Sequence, residues 1–370
     1  MSKRGARAGA RRARPGVRRG RRRRRRPPGP DGRPYTGEGR IRALTRAPRA
    51  GHSSFSDAAG PEQGTDEENA MTNAENARPA LRQPPTAYRS RVGDIEIVAA
   101  NDGMVRVPMK DGFVRGVTAA EVGEALAESG LPREILTITF TPIVVRTGGE
   151  TVLVDTGYGA SGPPTAGFLL ENLAAGGVRP EDVTKVVISH FHGDHINGLL
   201  TKDGALVYPN AEILVPAPEW DFWTSQDRKA QAPDAMKAAF DNVARVLGPM
   251  KDRLTHYKWD QEVAPGMIAL DANGHTPGHT AFAISSDGES FVFISDTTNH
   301  PALFVRNPDW SPSFDIDPDA ARRTKRRILD MVVTDDLPVG GFHFPFPALG
   351  KIARDGERYR YLPAQWMAVV

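Results

Sequence analysis

The sequence predicts an α/β domain with mixed sheets. Short apolar strands alternate with helical stretches along most of the chain, many neighbouring strands are joined by tight turns, and no repeat period is visible. Residues 95–98 and 104–109 alternate in polarity and read as strands. Residues 118–129 read as a helix with Thr118 as its cap. The run 135–145, the Gly148-Gly149 turn and residues 152–155 read as a hairpin whose strands are buried on both faces. A short helix over 167–175 ends at Gly176-Gly177, and the strand 185–189 stops abruptly at His190. Beyond it come a strand at 213–215, a helical stretch over about 218–254 and a strand at 267–270. Residues 281–285 and 291–295 form a hairpin around Asp287-Gly288; a helix over 318–333 precedes a last strand at 339–343.

Charge divides the chain of 370 residues into two unlike parts. Residues 1–50 hold 19 Lys or Arg against two acidic groups, Asp31 and Glu38, so the remaining 320 residues carry a net charge of −14. Residues 1–85 are expected to be a disordered Arg-rich and polar extension, because they have too little apolar surface to offset the entropy of ordering. Met71 is an alternative start for the product. Residues 86–370 have the texture of one folded domain. The absence of cysteine excludes a disulfide scaffold, a thiolate nucleophile and cysteine-ligated metal. No apolar run approaches the ~20 residues of a membrane span, and no apolar h-region follows the arginines, so a cytoplasmic protein is expected.

The informative segment is Ser189-His190-Phe191-His192-Gly193-Asp194-His195. Alternation along an extended chain puts His190 and His192 on one side, where both can reach one cation. Gly193 permits a sharp turn that aims Asp194 and His195 at a second point beside the first. Only nine histidines exist in the chain, so three within six positions are a strong signal for metal. Imidazole and carboxylate without thiolate suit Zn, Mn, Fe or Co. Further donors stand at the ends of buried strands: the loop Gly274-His275-Thr276-Pro277-Gly278-His279, then Asp296, then His343.

The H-x-H-x-D-H element followed by a later His, Asp and His resembles the metallo-β-lactamase fold hydrolases, over nearly all of residues 90–370. The resemblance implies a four-layer αβ/βα sandwich, two mixed β-sheets with helices outside. It assigns His190, His192 and His279 to one metal, Asp194, His195 and His343 to a second, and Asp296 to both. Asp155 would brace the ligand loops, and His275, as the first histidine of its pair, would fix its own loop rather than bind metal. The residues after Asp296 and around Gly341-Phe342-His343-Phe344 look like the branch that contains methyl parathion hydrolase and related lactonases. Quorum-quenching lactonases offer a tyrosine shortly after the bridging aspartate, where this chain has Thr297, Thr298 and Asn299.

The expected activity is that of a metal-dependent hydrolase with two divalent ions, zinc first and Mn, Fe or Co as substitutes. A hydroxide bridging the ions would cleave an ester, lactone or phosphotriester bond of a small molecule, with Asp194 and Asp296 as the catalytic carboxylates. Trp220, Phe222, Trp223 and His300 are candidates for the substrate pocket, with core anchoring as the competing role for the aromatics. The other readings are a nucleic-acid-processing nuclease of the same fold and a β-lactamase-like or non-catalytic metal-binding member. A membrane is excluded as a partner, nucleic acid is not expected, and a homodimer is left open.

Overall fold

Three separate apolar clusters organise the domain, and together they define four layers. The computed structural model describes residues 83, 84 and 86–370. The expected extension, apart from Gln83 and Pro84, lies outside the described residues, as do Met71 and His52.

Nine strands come first: β1 (Ala87–Val92), β2 (Ile95–Ala100), β3 (Gly103–Pro108), β4 (Ile135–Phe140), β5 (Ile143–Thr147), β6 (Glu150–Val154), β7 (Lys185–Val187), β8 (Glu212–Pro216) and β9 (Leu254–Tyr257). The rest are β10 (Glu262–Ala264), β11 (Met267–Asp271), β12 (Thr280–Ser286), β13 (Glu289–Ser295), β14 (Pro338–Gly341), β15 (Leu349–Asp355) and β16 (Arg358–Pro363). The helices are α1 (Ala119–Glu128), α2 (Leu169–Ala175), α3 (Gly193–Ile196), α4 (Ala217–Trp223), α5 (Gln226–Gln231), α6 (Asp234–Leu247) and α7 (Pro318–Thr334).

One seven-stranded sheet has the order β1-β2-β5-β6-β7-β8-β9, the other β10-β11-β12-β13-β14-β15-β16, and β3 pairs with β4 as a separate ribbon. The cluster between the sheets joins Ile97, Val145, Val154 and Leu214 of the first to Phe282, Phe291 and Phe293 of the second. A second cluster packs Val98, Leu153 and Val186 under the helices through Leu173, Phe240 and Val243. A third packs Val292, Ile294 and Val339 under Ile328 and Leu329 of α7. Successive strand residues face opposite sides, so strands buried on both faces feed two clusters each. The result is the αβ/βα sandwich that the resemblance implied.

Several boundaries differ from the sequence reading, each for a local reason. The run 135–145 is two strands, because Pro142 has no N–H to give and the chain passes there from the ribbon into the first sheet. The helical stretch over 218–254 is three helices: Ser225 caps the second through the Arg228 amide, and Pro233 starts the third. α1 carries the expected Thr118 cap, completed as a capping box by Glu121. The basic face of α7 is tied down by Arg322–Asp319 and Arg326–Asp309 pairs, whereas Lys325 turns inward to donate to the Trp310 carbonyl at 2.6 Å. No helix among the described residues is long and apolar enough to cross a membrane.

Asp102, between β2 and β3, ties the loops above the first sheet together. Its carboxylate is fully buried and accepts from the amides of Tyr158 at 2.9 Å and Leu169 at 3.0 Å. Burial outweighs these bonds and raises its pKa to about 7. The unfolded chain therefore releases this proton first as pH rises from 4, so the folded state binds the extra proton and loses stability between pH 4 and 7. The loss from this group is on the order of 4 kcal/mol. Urea unfolding at pH 4.5 and 7.5 is expected to show this loss in the parent and not in Asp102→Asn; parallel pH dependences in the two proteins would contradict it.

Candidate metal centre

Ser189, two residues beyond the strand β7, is one of the points where the two sheets are joined. Its amide and hydroxyl both donate to Asp155 at 2.8 Å, while its carbonyl accepts the Thr280 amide at 3.1 Å and its hydroxyl accepts from Ser295 at 2.9 Å. Asp155 follows β6 with φ of 61°, a left-handed conformation that turns its side chain back under the next strand. Its second oxygen also accepts from His195 Nδ1 at 2.8 Å. Asp155, Ser189 and His195 have no exposed surface. Asp155 thus stands where bracing was expected, and the proton on His195 Nδ1 leaves the Nε2 lone pair aimed at the centre.

The chain then delivers three more donors. His190 Nε2 and His192 Nδ1 lie 3.0 Å apart, and Gly193 opens the single turn α3, which carries Asp194 and His195. His192 Nδ1 is also 3.0 Å from His275 Nε2. Burial, reinforced by neighbouring imidazoles, keeps His190 and His192 well below the usual histidine pKa. On the other side His343 Nε2 lies 2.8 Å from Asp296 Oδ2 and 3.5 Å from Asp194 Oδ2, and its Nδ1 donates to the Thr139 carbonyl at 3.0 Å. His195 Nε2 is 3.5 Å from Asp296 Oδ1 and 3.6 Å from Asp194 Oδ2. Although burial opposes it, attraction to the imidazoles of His343 and then His195 holds Asp296 well below its usual range when no cation lies between them. A bound metal would take the place of that positive charge and leave both Nε2 atoms as ligands.

The loop 274–280 reverses one expectation. His279 was expected among the ligands and His275 as the loop-fixing group; in the structure it is His275 whose Nε2 faces the cluster, while both nitrogens of His279 are engaged elsewhere. Both nitrogens of His279 are taken within the protein: Nδ1 donates to the Ala272 carbonyl at 2.8 Å, and Nε2 accepts the Asp296 amide at 3.0 Å. No lone pair remains for a cation, and the ring instead positions the backbone of Asp296. His275 points its Nε2 into the cluster, 3.5 Å from Asp296 Oδ2, while its Nδ1 donates to Asp315 Oδ1 at 2.9 Å. Asp315 is held in turn by the Ser311 hydroxyl at 2.6 Å.

Neutral imidazoles whose lone pairs face one another without an intervening proton are unfavourable unless a cation lies between them. The groups His190–His192–His275, His190–His195–Asp296 and Asp194–His195–His343 each bring three ligand atoms within 4.8 Å of one another. His195 Nε2 and Asp296 Oδ1 are buried without a hydrogen-bond partner. The arrangement can bind metal, and the donor set fits Zn, Mn, Fe or Co.

The expected pocket residues are dispersed. Trp223 is buried, donates to Glu219 at 2.7 Å and stands edge-on to His192 at 6.3 Å between ring centres. Trp220 packs on His256, and Phe222 on Phe240 and Trp223, as part of the helical layer. His300 is buried, accepts the Ala302 amide and is lowered to about 4 by burial and then by His343. It lines a cavity of about 160 Å³ with Leu131, Ile135, Thr139 and Pro345.

Three contributors were missed in the sequence. Asp315 and Ser311 lie in a loop with no characteristic spacing. Glu219 was legible as a lone carboxylate in the apolar run Pro216-Ala-Pro-Glu-Trp220. Wholly buried, Glu219 accepts the amides of Phe191 at 3.0 Å and Gly278 at 2.7 Å, clamping both histidine loops to α4. Glu219→Leu leaves three buried donors, including the Trp223 indole N–H, without acceptors and is expected to cost about 3 kcal/mol or more. Urea unfolding measures it, and a change below about 1 kcal/mol would contradict the clamp.

Comparisons with known proteins bear on the family and the fold. The profile of the Metallo-beta-lactamase superfamily matches residues 141–339. Metallo-beta-lactamase domain-containing protein 1 of Xenopus laevis is 38% identical over 216 residues, 56% of this chain and 73% of that protein. The match to the protein of the same name from Mus musculus is 50% identical over 17% of this chain but spans only 21% of that protein. Among solved structures, AidC, a dizinc quorum-quenching lactonase in complex with the product N-hexanoyl-L-homoserine, superposes with a TM-score of 0.72 at 25% identity, covering 76% of this chain and 98% of that one. The hydrolase AbOPH of the beta lactamase superfamily has a TM-score of 0.72 at 27% identity, covering 77% of this chain and all of that one. With its sandwich fold and its histidine–aspartate cluster, the chain belongs to the metallo-β-lactamase superfamily.

Proposed function

We propose that the protein is a dinuclear metal hydrolase acting on an ester, lactone or phosphotriester bond of a small, moderately apolar molecule. The observation that carries this reading is the convergence of His190, His192, His275, Asp194, His195, Asp296 and His343 on one buried corner. His190, His192 and His275 would hold one ion and Asp194, His195 and His343 the other, with Asp296 facing both. When bound, two divalent ions, zinc first, lower the pKa of water toward neutrality and polarise a substrate oxygen. Lactone cleavage by AidC, its structural neighbour, supports the substrate class.

The chain's own residues set the rest. Asp155, Asp315 and the Thr139 carbonyl each accept the Nδ1 proton of one ring, leaving the Nε2 lone pairs of His195, His275 and His343 turned inward. Asp194 keeps 15% of its side chain exposed against 2% for Asp296, so it faces the opening and can pass a proton to a leaving oxygen. Phe314, 37% exposed, stands edge-on to His275 at 5.9 Å and to Phe113 at 6.1 Å, an aromatic rim suited to uncharged substrates.

Protein loaded with Zn, Mn or Co is expected to hydrolyse at least one member of a panel of γ-lactones, aryl esters and phosphotriesters. A metal-replete protein inert to the whole panel would overturn the reading. His275→Ala is expected to reduce metal content from two equivalents to about one and turnover by at least about 100-fold. His279→Asn is expected to keep both equivalents while losing about 2 kcal/mol of stability. The reverse pattern in elemental analysis would restore His279 as the ligand.

A further inference from the structure

The direction of the His275 ring depends on the segment 309–317, which forms neither helix nor strand. Asp315 of this segment takes the His275 Nδ1 proton, Ser311 holds Asp315, and Phe314 stands edge-on to the same imidazole. An irregular segment keeps such a geometry only through outside partners for its backbone. Two cations supply them, one on each side.

On one side lie residues 113–115. Val114 and Pro312 form an antiparallel bridge, the Ser313 amide donates to the Phe113 carbonyl at 2.9 Å, and the Arg115 amide donates to the Ser311 carbonyl at 2.9 Å. The Arg115 guanidinium then reaches further along the segment. One of its terminal nitrogens donates to the carbonyls of both Ser313, at 2.6 Å, and Asp315, at 3.1 Å. A planar group with fixed donors sets the spacing of those two carbonyls.

On the other side stands α7, where Ala321 and Lys325 share a face one turn apart. The Ala321 backbone lies so close to Gly274 that a Cβ there would be 2.2 Å from its nitrogen. Lys325, 2% exposed, ends on the Trp310 carbonyl, whereas its neighbours Arg322 and Arg326 pair with Asp319 and Asp309. Burying an ammonium is costly unless it is bonded, so an apolar side chain would fill this place more favourably if packing were its only purpose. The amides of Ile316 and Asp317 close the connection by donating to the carbonyls of His275 at 3.0 Å and Gly274 at 2.9 Å.

We infer that Arg115 and Lys325 are positioning residues for metal binding. They clamp the segment 309–317 from its two sides and, through Asp315, keep His275 Nε2 directed at the ion it would share with His190 and His192. The inference rests on the two-ion reading above. Groups that orient a ligand imidazole typically change metal affinity by about 10- to 100-fold.

Calorimetric zinc titration of the metal-free full chain tests the clamp, with His275→Ala marking which of the two binding steps depends on that ring. In Arg115→Met and in Lys325→Met the marked step is expected to weaken about 10-fold while the other step stays unchanged. Added to His275→Ala, neither substitution should weaken the remaining step further, because the ring that it positions is gone. Arg115 is exposed, so its variant decides the matter should methionine at position 325 prevent folding. Parent affinities in either folded variant, or equal weakening of both steps, would overturn the clamp and leave the two-ion hydrolase reading intact. A parent that binds two ions, responds to Arg115→Met as expected and hydrolyses no member of the panel would overturn the hydrolase reading alone. A parent that binds no zinc would overturn both.

Discussion

The buried carboxylate of Asp155 is the constraint on which the rest of the centre depends. It takes three hydrogen bonds from Ser189 and His195 in a place that water does not reach. A buried carboxylate left without those donors would be costly, so the strand end, the serine and the imidazole are held in one arrangement. Ser189 extends that arrangement into the second sheet through Ser295 and Thr280, and Ser295 immediately precedes Asp296. The two halves of the sandwich are therefore locked at the spot where their donor side chains must meet.

Around this lock the same device recurs with different partners. Three imidazoles are each oriented by an acceptor on Nδ1: a carboxylate for His195, a carboxylate for His275 and a backbone carbonyl for His343. Each acceptor decides which nitrogen keeps a lone pair, and so decides which way the ring can bind. His279 shows the converse. Its Nδ1 is also satisfied by a carbonyl, but its Nε2 is spent on the Asp296 amide, which makes it a brace rather than a ligand. Glu219 does the equivalent work for the backbone, drawing the His190–His195 and His275–His279 loops onto one carboxylate.

Much of this was legible from residue order. The buried strand before His190, which the structure ends at Val187, and the spacing of His190, His192, Asp194 and His195 could be read from residue order, and Asp296 directly follows β13 as the sequence suggested. The pair His275 and His279 is placed differently from the sequence reading because both lie in one turn, and the direction of each ring depends on which one finds internal partners at both nitrogens. That information resides in Asp315, forty residues downstream, and in the Asp296 amide, neither of which local spacing reveals. The broken helical stretch after β8 likewise had its signals, Ser225 and Pro233, but a continuous polar–apolar pattern masked them.

The central claim, that these side chains from separate strands grip a pair of cations, is tested most directly by anomalous diffraction from crystals of the zinc-loaded protein. The account predicts two peaks roughly 3.5–4 Å apart, one bounded by His190, His192 and His275, the other by Asp194, His195 and His343, with Asp296 touching both. A map with no peak in this corner, or with a peak coordinated by His279 while His275 stands aside, would contradict it.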